Sequence, residues 1–363
     1  VKLLIAAGGT GGHIFPAVAV AEELKRIEPD SEVLFVGSRD RLEAKLIPKL
    51  GFPFTSIRTA ALPRRISTRI FAAARDLSLG LLQACGIIRS FKPNCALITG
   101  GYVCAPVALA GMISGVPVFI QEQNAVPGLA NRVAGRWARR VFLGFEEAAG
   151  WFDRAKTTVT GNPIRFHKPL SRQLVAEQLK LDVNLKTLFV MGGSQGASAI
   201  NEAMIAALPS LEGIADKVQI IHQTGDRDHG RVLEAYRRTP LRYLVRPFFD
   251  EMYPLYSIAD LMLCRAGGMT IAEITAFGIP AVLVPFARAT NDHQTLNAMS
   301  LQQRGAGVVI PERELSPERL ARTIKGIILD EARLSEMSHA SRLLGNPLAA
   351  KMIADSILSD VRR

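Results

Sequence analysis

The sequence predicts an α/β protein built from two doubly wound parallel sheets. Three observations lead there. Short apolar runs alternate with amphipathic helical stretches along nearly all of the 363 residues. Two of those runs, 3–7 and 187–191, each end in a glycine turn that opens a helix. The turns are Gly8-Gly9-Thr10-Gly11-Gly12-His13 and Gly192-Gly193-Ser194-Gln195-Gly196-Ala197. Between the two halves stands Thr160-Gly161-Asn162-Pro163, a turn sequence in which the residue before proline is pushed away from helix. The alternation restarts beyond it. The expected domains are therefore 1–162 and 163–345, with a final helical segment, 346–363, crossing back to the first.

The elements follow in order. Residues 2–7 make the first strand, and Pro16 is placed as the first residue of the next helix. Val20, Leu24 and Ile27 are spaced for one buried face. Strands over 32–36 and 54–57 bracket a helix over 41–50. Strand 95–99 leads to Gly100-Gly101-Tyr102 and an alanine-rich helix over 105–114. Strand 116–120 ends at Gln121-Glu122-Gln123-Asn124, polar residues where ligands bind in such sheets. In the second half, strands are expected at 187–191, 218–222, 243–245, 261–264 and 281–284. Thr270 is expected to cap a helix, with Glu273 three residues on in a capping box.

Residues 64–91 break the rhythm. Arg64, Arg65, Arg69 and Arg75 sit among more aliphatic residues than one buried stripe needs. One reading is a long core helix with a solvated basic face. The other is a basic and apolar surface that touches anionic lipid.

Composition narrows the classes. With 48% hydrophobic and 21% charged residues the chain is globular. Its net charge of +11 favours anionic partners. Aromatics are few and the arginines lie among aliphatics, so lipid is favoured over nucleic acid. The four cysteines form no Cys-x-x-Cys pair, and no His/Cys/Asp cluster suggests a bound metal. The first strand runs straight into the glycine turn, so no signal peptide is expected. No apolar run approaches the roughly 20 residues of a membrane span. A membrane, if involved, is expected to be met from its surface.

The glycine turns exclude two cofactor classes. The dinucleotide fingerprint needs a glycine where Ile14 stands. Neither turn is followed by Gly-Lys-Ser/Thr, so neither is a P-loop. A turn that opens a helix still suits an anion, because the helix start offers unpaired N–H groups and a positive dipole end. His13 adds a side chain that can accept a proton near neutral pH. Glu122, at a strand end, could orient a cation or hydroxyl, or form an ion pair. Glu273 could accept hydrogen bonds from a ribose diol or cap its helix. Asp226-Arg227-Asp228 has the spacing of a metal motif but lies in a polar loop without further context.

Taken together, several motifs resemble the MurG family of glycosyltransferases. They are Gly8–His13 with Ile14-Phe15-Pro16-Ala17, then Gly100-Gly101-Tyr102-Val103, then the run from Glu122 through Asn131-Arg132. Gly161-Asn162-Pro163-Ile164-Arg165, the second glycine turn, the run from Cys264 to Glu273, and Asp292-His293-Gln294 with Asn297-Ala298 continue the match along the chain. The resemblance implies the GT-B fold, two Rossmann-like domains facing across a cleft. It implies inverting transfer of N-acetylglucosamine (GlcNAc) from UDP-GlcNAc to the 4-hydroxyl of the N-acetylmuramyl (MurNAc) unit in lipid I. The product would be lipid II, for cell-wall synthesis. No cofactor is implied beyond the UDP-GlcNAc substrate, and no metal.

The resemblance also implies residue roles. His13 would be the general base, with Glu122 as second choice or as an orienting partner, and Tyr102 beside them. Thr10, Gly11 and Gly12 would meet the donor and the acceptor pyrophosphate, and Asn131 would line the acceptor side. Gly268, Met269 and Thr270 would contact the nucleotide-sugar, Glu273 the ribose and Phe249 the uracil. Ser194 and Gln195 would lie on the diphosphate side, and His293 and Gln294 on the sugar hydroxyls. Asn124 and Arg165 match donor positions, and Arg165 or Arg265 would add charge for the leaving UDP. The implied location is the cytoplasmic face of the bacterial membrane, held peripherally through 64–91, with cell-wall synthesis or division proteins as partners. Two rivals remain at this point. One is another GT-B enzyme on the same donor, such as a diacylglycerol glycosyltransferase or a UDP-GlcNAc 2-epimerase. The other is a sugar-nucleotide sensor that binds without turnover.

Overall fold

The structure is a computed structural model that describes residues 1–60, 69–287, 289 and 292–362, the side chains of Arg69 and Ile70 excepted. Arg64 and Arg65 lie outside the described residues. The chain divides into two compact units. One is Val1–Arg165 with the segment from Asn346 onward, and the other is Phe166–Gly345.

The first unit is a seven-stranded sheet. Its strands are β1 (Lys2–Ala7), β2 (Glu32–Gly37), β3 (Phe54–Ser56), β4 (Cys95–Gly100), β5 (Val118–Glu122), β6 (Arg140–Leu143) and β7 (Thr157–Val159). Their order is β3-β2-β1-β4-β5-β6-β7, all parallel. The helices are α1 (Gly11–Ile27), α2 (Leu42–Lys49), α3 (Arg69–Phe91), α4 (Cys104–Ile113) and α5 (Leu129–Ala134). Helices on both faces bury the central strands, which therefore read as continuous apolar runs: five of the six residues of β1 are buried. The sheet grows from β1 one way to β3, then returns to β4 on the other side. That reversal puts the carboxyl ends of β1 and β4, with Gly8 and Gly100-Gly101, at the switch point where such sheets bind ligands.

The second unit repeats the plan. It holds α6 (Arg172–Leu179), β8 (Lys186–Met191), α7 (Ser198–Leu211), β9 (Val218–Gln223), α8 (His229–Tyr236), β10 (Arg242–Arg246), α9 (Tyr253–Ile258) and β11 (Leu261–Cys264). Then come α10 (Gly268–Phe277), β12 (Ala281–Leu283), α11 (His293–Gln303), β13 (Gly307–Val309), α12 (Pro317–Ile328) and α13 (Glu331–Leu344). The order β10-β9-β8-β11-β12-β13 is again all parallel. Its switch point lies between β8 and β11, where the second glycine turn and the loop after Cys264 emerge.

The last helix, α14 (Ala349–Val361), belongs to the first unit. Ile353, Ala354, Ile357 and Leu358 pack into the same core as Val20 and Leu24 of α1. The guanidinium of Arg140 forms two bonds to Asp360, whose side chain is 1% exposed. The first unit runs on to Arg165, whose guanidinium pairs with Glu22 of α1.

Three expectations about helices are corrected. Helix α1 starts at Gly11, so Pro16 lies inside it, at the loss of one backbone bond to the Gly12 carbonyl. His13 is thereby in the first helical turn. Helix α10 is capped by Gly267 in extended conformation, and Thr270 lies within its first turn. Helix α3 is, by length and composition, long and apolar enough over Phe71–Phe91 to cross a membrane, a length the sequence reading did not find. One of its faces, Ala73, Ala84 and Ile88, is nevertheless buried on the domain, while Phe71 and Leu82 are 79% and 69% exposed. That is the pattern of a surface helix.

Candidate active site

In the first unit the site begins at the turn after β1. Thr10 is extended at the N-cap of α1, and its side chain makes no capping bond. The amides of Gly11 and Gly12 head the helix, where no helical carbonyl faces them and the dipole end is positive. Thr10 and Gly12 are exposed. The preceding amide is already used. Glu43 of α2, fully buried, accepts the Gly9 N–H at 3.1 Å and the Ser38 N–H at 3.0 Å. The Glu43 carboxylate thus fixes the turn and leaves anion binding to the amides beyond Gly9.

His13 projects from the first turn of α1, half-buried. Its Nδ1 lies 2.8 Å from Oε1 of Gln123. Its carbonyl accepts the hydroxyl of Thr99 at 2.8 Å. The turn after β4 packs on the turn after β1: Gly101 is so close to Gly8 that a β-carbon there would stand 2.3 Å from the Gly8 carbonyl oxygen. Tyr102 follows, 56% exposed.

Glu122 ends β5, buried. One carboxylate oxygen accepts the Asn124 N–H at 3.0 Å. The other accepts the Gly128 N–H at 3.1 Å and the Asn131 amide at 2.9 Å. Burial raises its pKa, and those hydrogen bonds oppose the rise. A carboxylate so occupied closes the loop 124–128 and is poorly placed to take a substrate proton. Asn131 is buried on that carboxylate and does not line an open surface. The residue that meets His13 is Gln123, the first residue past β5. Sequence reasoning missed it. The only signal was its place in the polar run at the end of β5.

Arg165 is held on the outer face of α1 by both carboxylate oxygens of Glu22.

In the second unit Ser194 and Gln195 are exposed in the glycine turn after β8. After β11, the chain enters α10 with Gly268, Met269 and Thr270 as its first residues, so their amides form a second helix start. Asn297 of α11 donates to the Ala266 carbonyl at 3.1 Å and holds that loop. His293 and Gln294 begin α11, and Gln294 accepts the Phe286 N–H through its side-chain oxygen at 2.9 Å. Glu273 lies on α10, and its carboxylate accepts the Tyr256 hydroxyl at 2.7 Å. Burial pushes Glu273 up to about 7, against the opposing pull of that bond. Tyr256 is a second residue that sequence reasoning missed.

Two expected donor contacts are corrected. The Phe249 ring is 4% exposed, set edge-on to Phe189 with centroids 6.5 Å apart, so it is core and not a platform for a base. Its neighbour Phe248 is 48% exposed. Arg265 is 12% exposed, ion-paired with Glu312 and bonded to the carbonyls of Val284 and Pro285. Its charge is already neutralised within the unit. Asp228 accepts Ser198 and Asn201 at the start of α7, which makes it structural. Among the described residues no group of three His, Cys, Asp or Glu could hold a metal ion.

Comparison with known proteins decides the family. The N-terminal domain model of glycosyltransferase family 28 matches residues 3–143, and the C-terminal domain model matches 187–354. A protein of Citrifermentans bemidjiense is 41% identical over 358 residues, 99% of each chain. It is named UDP-N-acetylglucosamine--N-acetylmuramyl-(pentapeptide) pyrophosphoryl-undecaprenol N-acetylglucosamine transferase. A protein of the same name from Syntrophus aciditrophicus is 41% identical over 365 residues, 100% of this chain and 99% of its own. The crystal structure of Acinetobacter baumannii MurG superposes with a TM-score of 0.79 at 28% identity, over 99% of this chain and 100% of that one. This chain belongs to the MurG family of glycosyltransferases. As a MurG-family chain it is a glycosyltransferase with two parallel-sheet α/β domains of the GT-B class. A UDP-N-acetylglucosamine 2-epimerase structure, with a TM-score of 0.67 at 16% identity over 99% of this chain and 96% of that one, shares the fold alone.

Proposed function

We propose that the protein transfers GlcNAc from UDP-GlcNAc to the 4-hydroxyl of MurNAc in lipid I, forming lipid II with inversion at the anomeric carbon. The acceptor oxygen forms its bond to that carbon as the bond to the UDP oxygen breaks. The electron pair leaves on UDP, and the hydroxyl proton passes to His13. The observation that carries this reading is the placement of His13. It sits in the first turn of α1, beside amides suited to a pyrophosphate and held by a buried glutamine. The donor falls to the second unit: the amides at the starts of α7 and α10 for the diphosphate, Glu273 for the ribose, and His293 and Gln294 for the sugar. Arg165 and Arg265 supply no spare charge in their observed pairings, so the leaving group relies on backbone amides. The outward face of α3 supports a peripheral contact with the anionic inner-membrane surface.

The test is labelled UDP-GlcNAc with a soluble lipid I analogue. The disaccharide product is expected, and UDP-ManNAc formed without acceptor would instead establish an epimerase. His13→Ala should lower turnover more than donor affinity. Turnover within about threefold of the parent, under ~1 kcal/mol at the barrier, would remove His13 as the base.

A further inference from the structure

We propose that Gln123 is a positioning residue that fixes the tautomer of His13, with the proton on Nδ1 and the lone pair on Nε2. The proposal rests on the reading of His13 as base and goes on to say which nitrogen does the work and what selects it.

The assignment follows from a chain of buried amides whose orientations are set at backbone carbonyls. Gln123, Gln121, Asn162 and Thr99 are each at most 3% exposed. One end of the Gln123 side chain faces the Thr99 carbonyl at 2.7 Å, the Gln121 carbonyl at 3.0 Å and the Gln121 side-chain oxygen. Those are three acceptors, so that end must be the NH2 group. Turning the amide over would set oxygen against oxygen in a buried site. The far end of the chain is fixed in the same way. The Asn162 side chain faces the Gln123 carbonyl at 2.9 Å, which requires its NH2 there. Its oxygen then accepts the Gln121 NH2 at 2.8 Å, leaving the Gln121 oxygen toward Gln123. The two ends agree, and no amide in the chain can turn over alone.

Gln123 therefore presents only its oxygen to His13, at 2.8 Å from Nδ1. An oxygen there accepts, so Nδ1 must carry hydrogen. In the neutral ring the basic nitrogen is then Nε2. When Nε2 takes the proton from the acceptor hydroxyl, the ring becomes imidazolium and still donates from Nδ1, so nothing in the chain must reorganise. The amide does for this histidine what a carboxylate does in a triad, without adding a charge. Every member of the chain lies in the first unit.

The experiment is 15N NMR of imidazole-labelled full-length protein, with His13 assigned by comparison with His13→Asn. At a pH where the ring is neutral, Nδ1 should resonate as the protonated nitrogen and Nε2 as the unprotonated one. The reverse pattern, or an even mixture, overturns the proposal whether or not His13 is the base. Turnover of His13→Ala tests the base reading separately. Gln123→Glu replaces the acceptor by a carboxylate and should move the acid limb of the kcat profile up by about one unit, with donor KM within about twofold. Gln123→Met should abolish the tautomer preference in the NMR signal and lower kcat about tenfold. A glutamine that only fills space would leave both the limb and the 15N pattern unmoved.

Discussion

A β-carbon added at Gly100 would stand 2.4 Å from Nδ1 of His13 and 2.5 Å from its Cε1. The glycine at the end of β4 is thus the floor on which the imidazole lies. Its φ of +134° is also a conformation that side chains rarely adopt.

Gly100→Ala should therefore move the ring as well as strain the backbone. We expect kcat with a lipid I analogue to fall about tenfold or more, the order that loss of a positioned base costs. Gly115→Ala separates the two effects. Gly115 has φ of +69° with nothing near its missing β-carbon, so that variant carries strain alone. Its kcat should stay near the parent value. Equal kcat losses in the two variants would mean that the ring contact is not what matters.

Glu273 gives a pH dependence with a definite sign. Burial pushes it up to about 7, so folded protein without donor holds this proton to a higher pH than unfolded chain does. Its contribution to stability is full below the unfolded value and is lost as pH rises through about 7. Donor binding runs the other way, because a ribose diol donates to the ionised carboxylate. From about pH 6 to about pH 8, UDP affinity should rise by up to about tenfold. Binding should also release a proton near pH 7, seen as a buffer-dependent calorimetric heat. Glu273→Gln should bind weakly at every pH and release none. A parent affinity flat across that range would remove Glu273 from the donor site.

Much of this was open to reading in the chain itself. Two glycine turns at the ends of apolar strands are local signals, and they locate both switch points without any structure. What failed was pairing across long separations and the facing of side chains. Gln123 and His13 are 110 positions apart, and it is Gln123, just past the end of β5, that meets the ring while Glu122, the last strand residue, does not. Phe248 and Phe249 are equally apolar, and the loop's path buries the second. Arg265 looks like a free cation until the fold brings Glu312 to it. Proline at the helix start is a sound local rule, yet α1 begins at Gly11 and carries Pro16 inside it. A deeply buried Glu43 gave no signal beyond an ordinary amphipathic helix.

Helix α3 makes a separate prediction. Its buried face leaves Phe71 and Leu82 outward, next to Arg75. Phe71→Ser with Leu82→Ser should weaken binding to vesicles containing phosphatidylglycerol by about tenfold or more, as loss of buried apolar area requires. Soluble-acceptor turnover should be unchanged. Binding that survives both substitutions, and survives high salt, would place the membrane contact elsewhere.

Glu43 and Gly9 supply the last test. The carboxylate accepts two N–H groups, from Gly9 and Ser38, in a site with no exposure to water. Glu43→Gln keeps the shape but can offer only one accepting oxygen, so an NH2 group must face one of those N–H donors. A buried donor left without its acceptor costs about 1–3 kcal/mol. Urea denaturation should show a loss of that size, and the released Gly9 amide should loosen the turn that carries Thr10 to His13. KM for the lipid I analogue should rise more than donor KM, since most of the donor contacts proposed above lie in the other unit. A variant as stable as the parent, with unchanged acceptor KM, would show that the turn holds its shape without Glu43.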